Sequence, residues 1–251
     1  MFKIIQITDT HLFQDNQIMH GANCNLTFAN VIEHIKKNEM ADANAIFLTG
    51  DLSQDESEKS YQILAEALSN IDIPIFWIPG NHDSIETMKH VFDDASFIQA
   101  KMFRAENWEF IFLNTKKDDT HEGYLSDSEL SYFKNELAKI DKKKSVAVIM
   151  HHHPIEVGTP MMDSYILINK KEFWDAAAKR VKLVICGHVH NDYSFQYGTT
   201  NIEAAPATCM QWTKGATGLD KENLIGYKTY LFEDGNYSAK AILWENQENK
   251  S

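Results

Sequence analysis

The chain has 251 residues, 43% of them hydrophobic and 24% charged, with a formal net charge of −12 at pH 7. This is the composition of an ordinary soluble globular protein, and it offers no run of about 18 or more apolar residues to cross a membrane. An acidic balance without basic stretches also speaks against a nucleic-acid partner, because backbone binding depends on basic residues releasing counterions.

In chain order, FKIIQI (2–7) is the first short apolar run. It reads directly as a strand, so the N-terminus does not resemble a signal peptide. Phe28, Val31, Ile32 and Ile35 then share one helical stripe. AIFL (45–48) predicts a second strand, and Tyr61, Leu64, Ala65 and Leu68 a second amphipathic helix. PIFWI (74–78) and EFIFL (109–113) are again strand-like. Ser126 and Glu129 stand at capping-box spacing ahead of a helix with Leu130, Phe133 and Leu137 on one face. VAVIM (146–150) and KLVIC (182–186) complete the apolar runs. Runs apolar on both faces suit strands inside a sheet that is covered on both sides.

The last part changes character. NIEAAPA (201–207), and YKTYLF and YSAKAILW joined across Asp234-Gly235, predict antiparallel strands. Alternation followed by a meander predicts an α/β layered fold, read as one domain over residues 1–251. Residues 155–169 fit no element. The three cysteines, Cys24, Cys186 and Cys209, are odd in number and widely spaced, which suggests neither a disulfide framework nor a metal knuckle. Cys186 and Cys209 read as small buried groups, and a reducing cytoplasm is the simplest location.

Chemistry gathers where the apolar runs stop. After 2–7 come Asp9 and His11, after 45–48 comes Asp51, and after 74–78 come Asn81, His82 and Asp83. After 146–150 come His151, His152 and His153, and after 182–186 come His188 and His190. The carboxyl ends of strands form the ligand-binding edge of open α/β sheets. Asp9 and His11, like His188 and His190, are two apart, so each pair can project in similar directions from an extended exit. Mixed carboxylate and imidazole donors suit zinc, iron or manganese better than calcium or magnesium. His20, His34, His90 and His121 carry no such context and read as ordinary surface or core residues.

The ordered motifs D-x-H, G-D, G-N-H-D, H and G-H-x-H, intact from residue 9 to residue 190, resemble those of the calcineurin-like metallophosphoesterase superfamily. The resemblance implies a four-layer α-β-β-α sandwich finishing in antiparallel strands, with two divalent metal ions. Asp9, His11, Asp51 and His190 would hold one ion, and Asp51, Asn81, His151 and His188 the other. His151 is then the ligand among the three adjacent histidines. His152 should point away by alternation, and His153 becomes a reserve contact to a ligand or to substrate. His11, Asn81, His82 and His190 would also face the substrate. Asp83 is expected either to orient His82 or to cap a helix beginning near residue 84.

Two divalent ions, two aspartates and a bridging hydroxide sum to a net +1, which a phosphodiester would neutralise. The expected reaction is in-line attack of that hydroxide on phosphorus, with His82 steadying and protonating the leaving oxygen. Within the superfamily the chain looks most like bacterial class III cyclic nucleotide phosphodiesterases, which act on 3′,5′-cyclic AMP and for which iron or manganese is favoured. The features are MHHHPI, the MMDSYILINKKEF segment and APATCMQW. Loops 155–169 and 206–212 would form a rim on which Trp212 or Tyr165 stacks a base. The partner is thus a small phosphate ester, with homo-oligomerisation left open. The alternatives are a phosphomonoester, nucleotide-sugar or phospholipid substrate and, last, a non-catalytic interaction module on the same fold.

Overall fold

In a computed structural model of the chain, which describes residues 1–93, 96–99 and 101–246, all six apolar runs become strands. The chain begins with β1 (Phe2–Ile7), a short ribbon of β2 (Ile18–Met19) and β3 (Ala22–Asn23), then α1 (Cys24–Asn38) and β4 (Ala45–Leu48). It continues with α2 (Glu58–Leu68), β5 (Ile75–Trp77), α3 (Ile85–Val91), β6 (Phe97–Ile98), β7 (Met102–Ala105) and β8 (Trp108–Phe112). Next come α4 (Asp127–Lys139), β9 (Ser145–Ile149), α5 (Pro160–Asp163), α6 (Lys170–Ala177) and β10 (Leu183–Cys186). The rest is β11 (Tyr193–Tyr197), β12 (Thr200–Ala204), β13 (Gln211–Trp212), β14 (Lys221–Glu222), β15 (Leu224–Glu233) and β16 (Asn236–Glu245).

Two six-stranded sheets result, ordered β16-β15-β1-β4-β5-β6 and β11-β12-β10-β9-β8-β7. Strands β1, β4, β5 and β6 are parallel, as are β8, β9, β10 and β12, so each sheet has a parallel centre with antiparallel neighbours outside it. Alternation along each strand sorts the side chains into layers. Ile4 and Phe47 point between the sheets, where they meet Phe110, Ala147 and Leu183. Ile5, Ile7, Ile46 and Leu48 point outward and pack with Phe28, Val31, Tyr61 and Leu64 of α1 and α2. On the other flank Val146, Val148 and Val184 pack with Phe133 of α4 and Phe173 of α6. The order of layers is α-β-β-α, as the resemblance implied.

Local chemistry sets the boundaries. Ser126 accepts from Glu129 N and caps α4 as its spacing predicted, and Ser57 does the same for α2. Asp234 and Gly235 have φ of 47° and 76°, the left-handed pair that a two-residue hairpin turn demands between β15 and β16. The unassigned stretch 155–169 holds only α5. It is tied down by Leu167 N donating to His153 O at 3.2 Å and Ile168 N donating to Gly123 O at 2.9 Å. No helix among the described residues is long and apolar enough to cross a membrane.

One expectation is overturned. Cys24, at the start of α1, and Cys209, after β12, are paired as a disulfide with Cα atoms 4.7 Å apart, while Cys186 is free and buried. Their sequence separation of 185 residues hid a proximity that only the closure of the two sheets creates.

The interface between the sheets also contains a buried cation. Lys228 on β15 reaches Glu203 of β12 at 2.8 Å and Asp192 at 2.6 Å. Removing one partner of a buried pair leaves the other uncompensated, at about 3–5 kcal/mol. Lys228→Ala should lower the unfolding free energy by that order in urea titrations, and Lys228→Met paired with Glu203→Gln should recover most of it.

Candidate metal centre

All the polar strand-end residues converge where the carboxyl ends of the two parallel centres meet. They do not leave their strands extended. Asp9, His11, Asp51, His188 and His190 have φ of 51°, 43°, 51°, 70° and 44°. Non-glycine residues adopt this left-handed backbone rarely, and its concentration here marks local strain held by the surrounding fold. The i,i+2 pairs therefore face one centre through tight turns rather than through strand alternation. Glycine makes the approach possible, since a Cβ on Gly80 would overlap the Asp51 carboxylate.

The ligand-type atoms lie within 4.8 Å of one another in overlapping groups. These are Asp9, His11 and His190; His11, Asp51 and His82; Asp9, Asp51 and His151; and His151, His152 and His188. Asp51 Oδ2 is 3.3 Å from His151 Nε2, Asp9 Oδ1 is 3.3 Å from His190 Nε2, and His11 Nε2 faces His190 Nε2 at 2.9 Å.

Hydrogen bonding at the far side of the rings sets which nitrogen faces inward. His151 Nδ1 donates to Thr49 O at 2.7 Å, His190 Nδ1 to Met210 O at 3.1 Å and His11 Nδ1 to Gln54 Oε1 at 2.7 Å. Each ring then turns an Nε2 lone pair to the centre, the arrangement of metal-binding imidazoles. Among the described residues, Asn81 Oδ1, His151 Nε2 and His188 Nε2 are buried without a hydrogen-bond partner. Buried polar atoms are rarely left so, and ligand-type atoms of His151 and His188 lie within 4.8 Å of each other, which fits a cation. The donor set thus suits the metals that the resemblance implied.

The electrostatics agree. Burial pushes the Asp51 carboxyl up, but His151 opposite it outweighs burial and holds it well below the usual carboxylate range. Asp9 is likewise lowered, its burial being overcome by His190. Burial and the neighbouring His190 push His11 down to about 3, so its ring is neutral. Burial would lower His151 too, yet Asp51 lifts it to about 9. The same negative charge attracts a metal cation, and ligation displaces that proton.

Three neighbouring residues behave differently from expectation. Asp83 touches neither the ring of His82 nor the end of α3, which Ser84 caps. Its buried carboxylate accepts from Leu52 N, Ser53 N and Gly80 N at 2.8–3.0 Å and from Tyr61 Oη at 3.2 Å, so it ties together the loops that carry Asp51 and Asn81. Burial, reinforced by Asp51, pushes this carboxyl up to about 6. His152 does not point away, because β9 ends at Ile149 and strand alternation ends with it. Its ring lies 4.6 Å from that of His188, yet Thr115 Oγ1 at 2.8 Å and His121 O at 3.1 Å occupy both its nitrogens.

His153 is fully buried, stacked on His188 at 5.7 Å with Nε2 3.7 Å from Asp163. It backs a ligand and is absent from the cavity wall, which corrects the substrate contact held in reserve for it. Trp212 is only 8% exposed but lines the cavity, its ring 5.7 Å from that of His190 at an angle of 30° and edge-on to His20 at 5.3 Å.

The cavity over the centre has a volume of about 220 Å³. Its floor is His11, Asp51, Asn81, His82, His188 and His190, and its rim includes Met19, Met161, Tyr165 and Leu219. Sequence reasoning missed His121 and Gln54 here, and it read as ordinary a third residue, His20, which lines the cavity. His121 Nδ1 accepts from Asn81 Nδ2 at 3.0 Å, which turns Asn81 Oδ1 inward, and its ring lies 4.9 Å from His82. Gln54 contacts both His11 and His82. The position of Gln54 three residues after Asp51 was the one available signal; for His121, in an irregular loop, there was none.

Comparison with known proteins adds four findings. The profile of the calcineurin-like phosphoesterases matches residues 2–192. A probable cyclic nucleotide phosphodiesterase of Coxiella burnetii is 38% identical over 237 residues, covering 92% of this chain and 94% of that protein. The 3′,5′-cyclic adenosine monophosphate phosphodiesterase CpdA of Escherichia coli is 31% identical over 244 residues, covering 95% and 88%. Among solved structures, a dimetal phosphatase from Danio rerio superposes with a TM-score of 0.70 over 96% of this chain and 95% of that one, at 11% identity. The last likeness is one of fold.

The roles expected of His82 and Asp51 can be told apart by measurement. His82→Ala should retain two metal equivalents by elemental analysis while losing most activity, whereas Asp51→Ala should lose metal as well. His121→Ala should weaken metal affinity roughly 10–100-fold, the usual effect of removing the partner that orients a ligand.

Proposed function

The chain belongs to the calcineurin-like phosphoesterases, a family of metal-dependent hydrolases of phosphoric esters, and from that membership we propose that it hydrolyses 3′,5′-cyclic AMP or a related cyclic nucleotide to the 5′-monophosphate. The observation that carries the reading is a floor of inward-facing, partnerless ligand atoms beside an apolar wall, in a chain whose relatives bear cyclic nucleotide phosphodiesterase names. A phosphate belongs on such a floor, and a planar base belongs against Met161, Leu219 and Tyr165, the last 38% exposed.

Asp9, His11, Asp51 and His190 would hold one divalent cation and Asp51, Asn81, His151 and His188 a second, with iron or manganese favoured by the resemblance. Such cations lower the pKa of water and neutralise phosphoryl charge. The residues of the chain do the rest. Asp9 and Asp51 are ionised at neutral pH and supply the negative charge of the donor set. His82 lines the cavity floor and steadies charge on the leaving oxygen. Asp83 keeps the Asp51 and Asn81 loops in register without meeting substrate.

A second reading, hydrolysis of an open-chain phosphodiester, is favoured by one feature. A polar cleft of about 470 Å³ adjoins the same Gln54, Asn81, His82 and His121 and continues along Asp55, Glu56, Lys116 and Asp119. It would accept a leaving alcohol that a cyclic ester does not possess.

Manganese-loaded protein should release 5′-AMP from cyclic AMP with a kcat/KM well above that for an aryl phosphodiester. Turnover of the aryl diester alone would support the second reading and sink the first. Base stacking is worth about 1–3 kcal/mol, so Tyr165→Ala should raise KM for cyclic AMP roughly tenfold and leave the aryl diester nearly unchanged.

A further inference from the structure

Gln54 stands between two histidines with different tasks. Its Oε1 lies 2.7 Å from His11 Nδ1, and its Nε2 lies 3.3 Å from His82 Nδ1. The backbone beneath it is pinned, because Gln54 N donates to Leu12 O at 2.9 Å beside the bridge between Leu12 and Ser53. An amide has one accepting end and one donating end, so it cannot treat the two rings alike.

Once His11 Nε2 is committed to a cation, its Nδ1 carries the ring proton and needs an acceptor. Of the two ends of the amide, only the oxygen can accept, and the reverse orientation would set an NH2 group against an N–H. The NH2 end is thereby turned to His82. His82 Nδ1 must accept from it, which places the His82 proton on Nε2.

We propose that Gln54 is a positioning residue that couples metal binding to the reaction: a cation at His11 fixes His82 as its Nε2–H tautomer, the hydrogen-bond donor to the leaving oxygen. The inference rests on the metal-centre part of the proposed function and not on the identity of the substrate. In this tautomer His82 offers a hydrogen bond and keeps its proton. The oxygen of water bonds to phosphorus, and the bond from phosphorus to the leaving oxygen breaks. One proton of that water ends on the departing alcohol, the other on the phosphomonoester, so the reaction balances without a proton from the protein.

The test is nitrogen-15 NMR of the His82 ring in the full-length protein, with zinc as a diamagnetic probe and His82→Asn to assign the signals. The expected result is a mixture of tautomers without zinc and a single Nε2–H pattern with it. In Gln54→Leu at saturating zinc the mixture should return, zinc affinity should fall roughly 10–100-fold, and kcat on an aryl diester should drop about tenfold with little change in KM. Gln54→Glu should restore zinc affinity, since a carboxylate still accepts from His11, but not the pure Nε2–H tautomer. An Nδ1–H pattern in the zinc-loaded parent protein would overturn the proposal, as would the same tautomer with and without zinc. Both overturning results are read in the parent protein, with His82→Asn serving only to assign the signals, and inactivity on cyclic nucleotides would not bear on them.

Discussion

The Asp51 carboxylate is where the two halves of the molecule become one site. It leaves β4 of the first sheet, faces His151 of the second sheet at 3.3 Å and accepts from His82 N at 2.9 Å. A buried carboxylate is tolerable only when paired or bound to a cation. Its surroundings supply both kinds of compensation: the imidazoles of His11, His82 and His151 close by, and ligand-type atoms of Asn81, His151 and His188 buried without a hydrogen-bond partner. The strained turns, the bare glycines and the hydrogen bonds of Asp83 all serve to keep this one group in place. A shift of either sheet edge would leave the charge uncompensated, so the same contact that builds the centre also sets how the sheets meet.

Much of this was legible in the residues because metal ligands contrast sharply with the strands that carry them. Apolar runs ending at Asp9, Asp51, Asn81, His151 and His188 can be read without a structure. What could not be read depends on distance through space. Cys24 and Cys209, and His121 and Asn81, meet only after the sheets close, and Gln54 meets His82 only once β4 and β5 pair side by side. The alternation rule failed for His152 because a strand had already ended, a boundary that sequence locates poorly. It succeeded for His11 and His190 for an unforeseen reason, since left-handed turns rather than extended exits bring them inward.

The wall of the cavity is less legible than its floor. Ligands must be particular residue types, whereas an apolar rim can be built from many. Trp212 shows the difficulty: it lines the cavity as a stacking platform would, yet it is only 8% exposed and its ring also lies 5.7 Å from that of His190. Met19, Met161 and Leu219, none distinctive in sequence, form the surface a base would meet. This asymmetry explains why the reaction class follows from the residues more firmly than the substrate does.

The space between the sheets is not uniformly apolar, and its polar members sit at the height of the centre. Gln6 of β1 donates through Nε2 to Thr49 Oγ1 at 2.8 Å and to Cys186 O at 2.9 Å, and its Oε1 accepts from Tyr230 Oη at 2.8 Å. One amide thus joins β1 and β15 of the first sheet to β10 of the second. Thr49 in turn offers its carbonyl to His151 Nδ1, which leaves Nε2 facing Asp51. Sliding the sheets past each other would break the Gln6 contacts and disturb the acceptor on which His151 relies. Buried polar networks of this kind specify a single arrangement when every member is satisfied. The register of the sandwich and the tautomer of a metal ligand are therefore set by one connected group of hydrogen bonds, which is why a site assembled from two sheets can be as well defined as one built on a single strand.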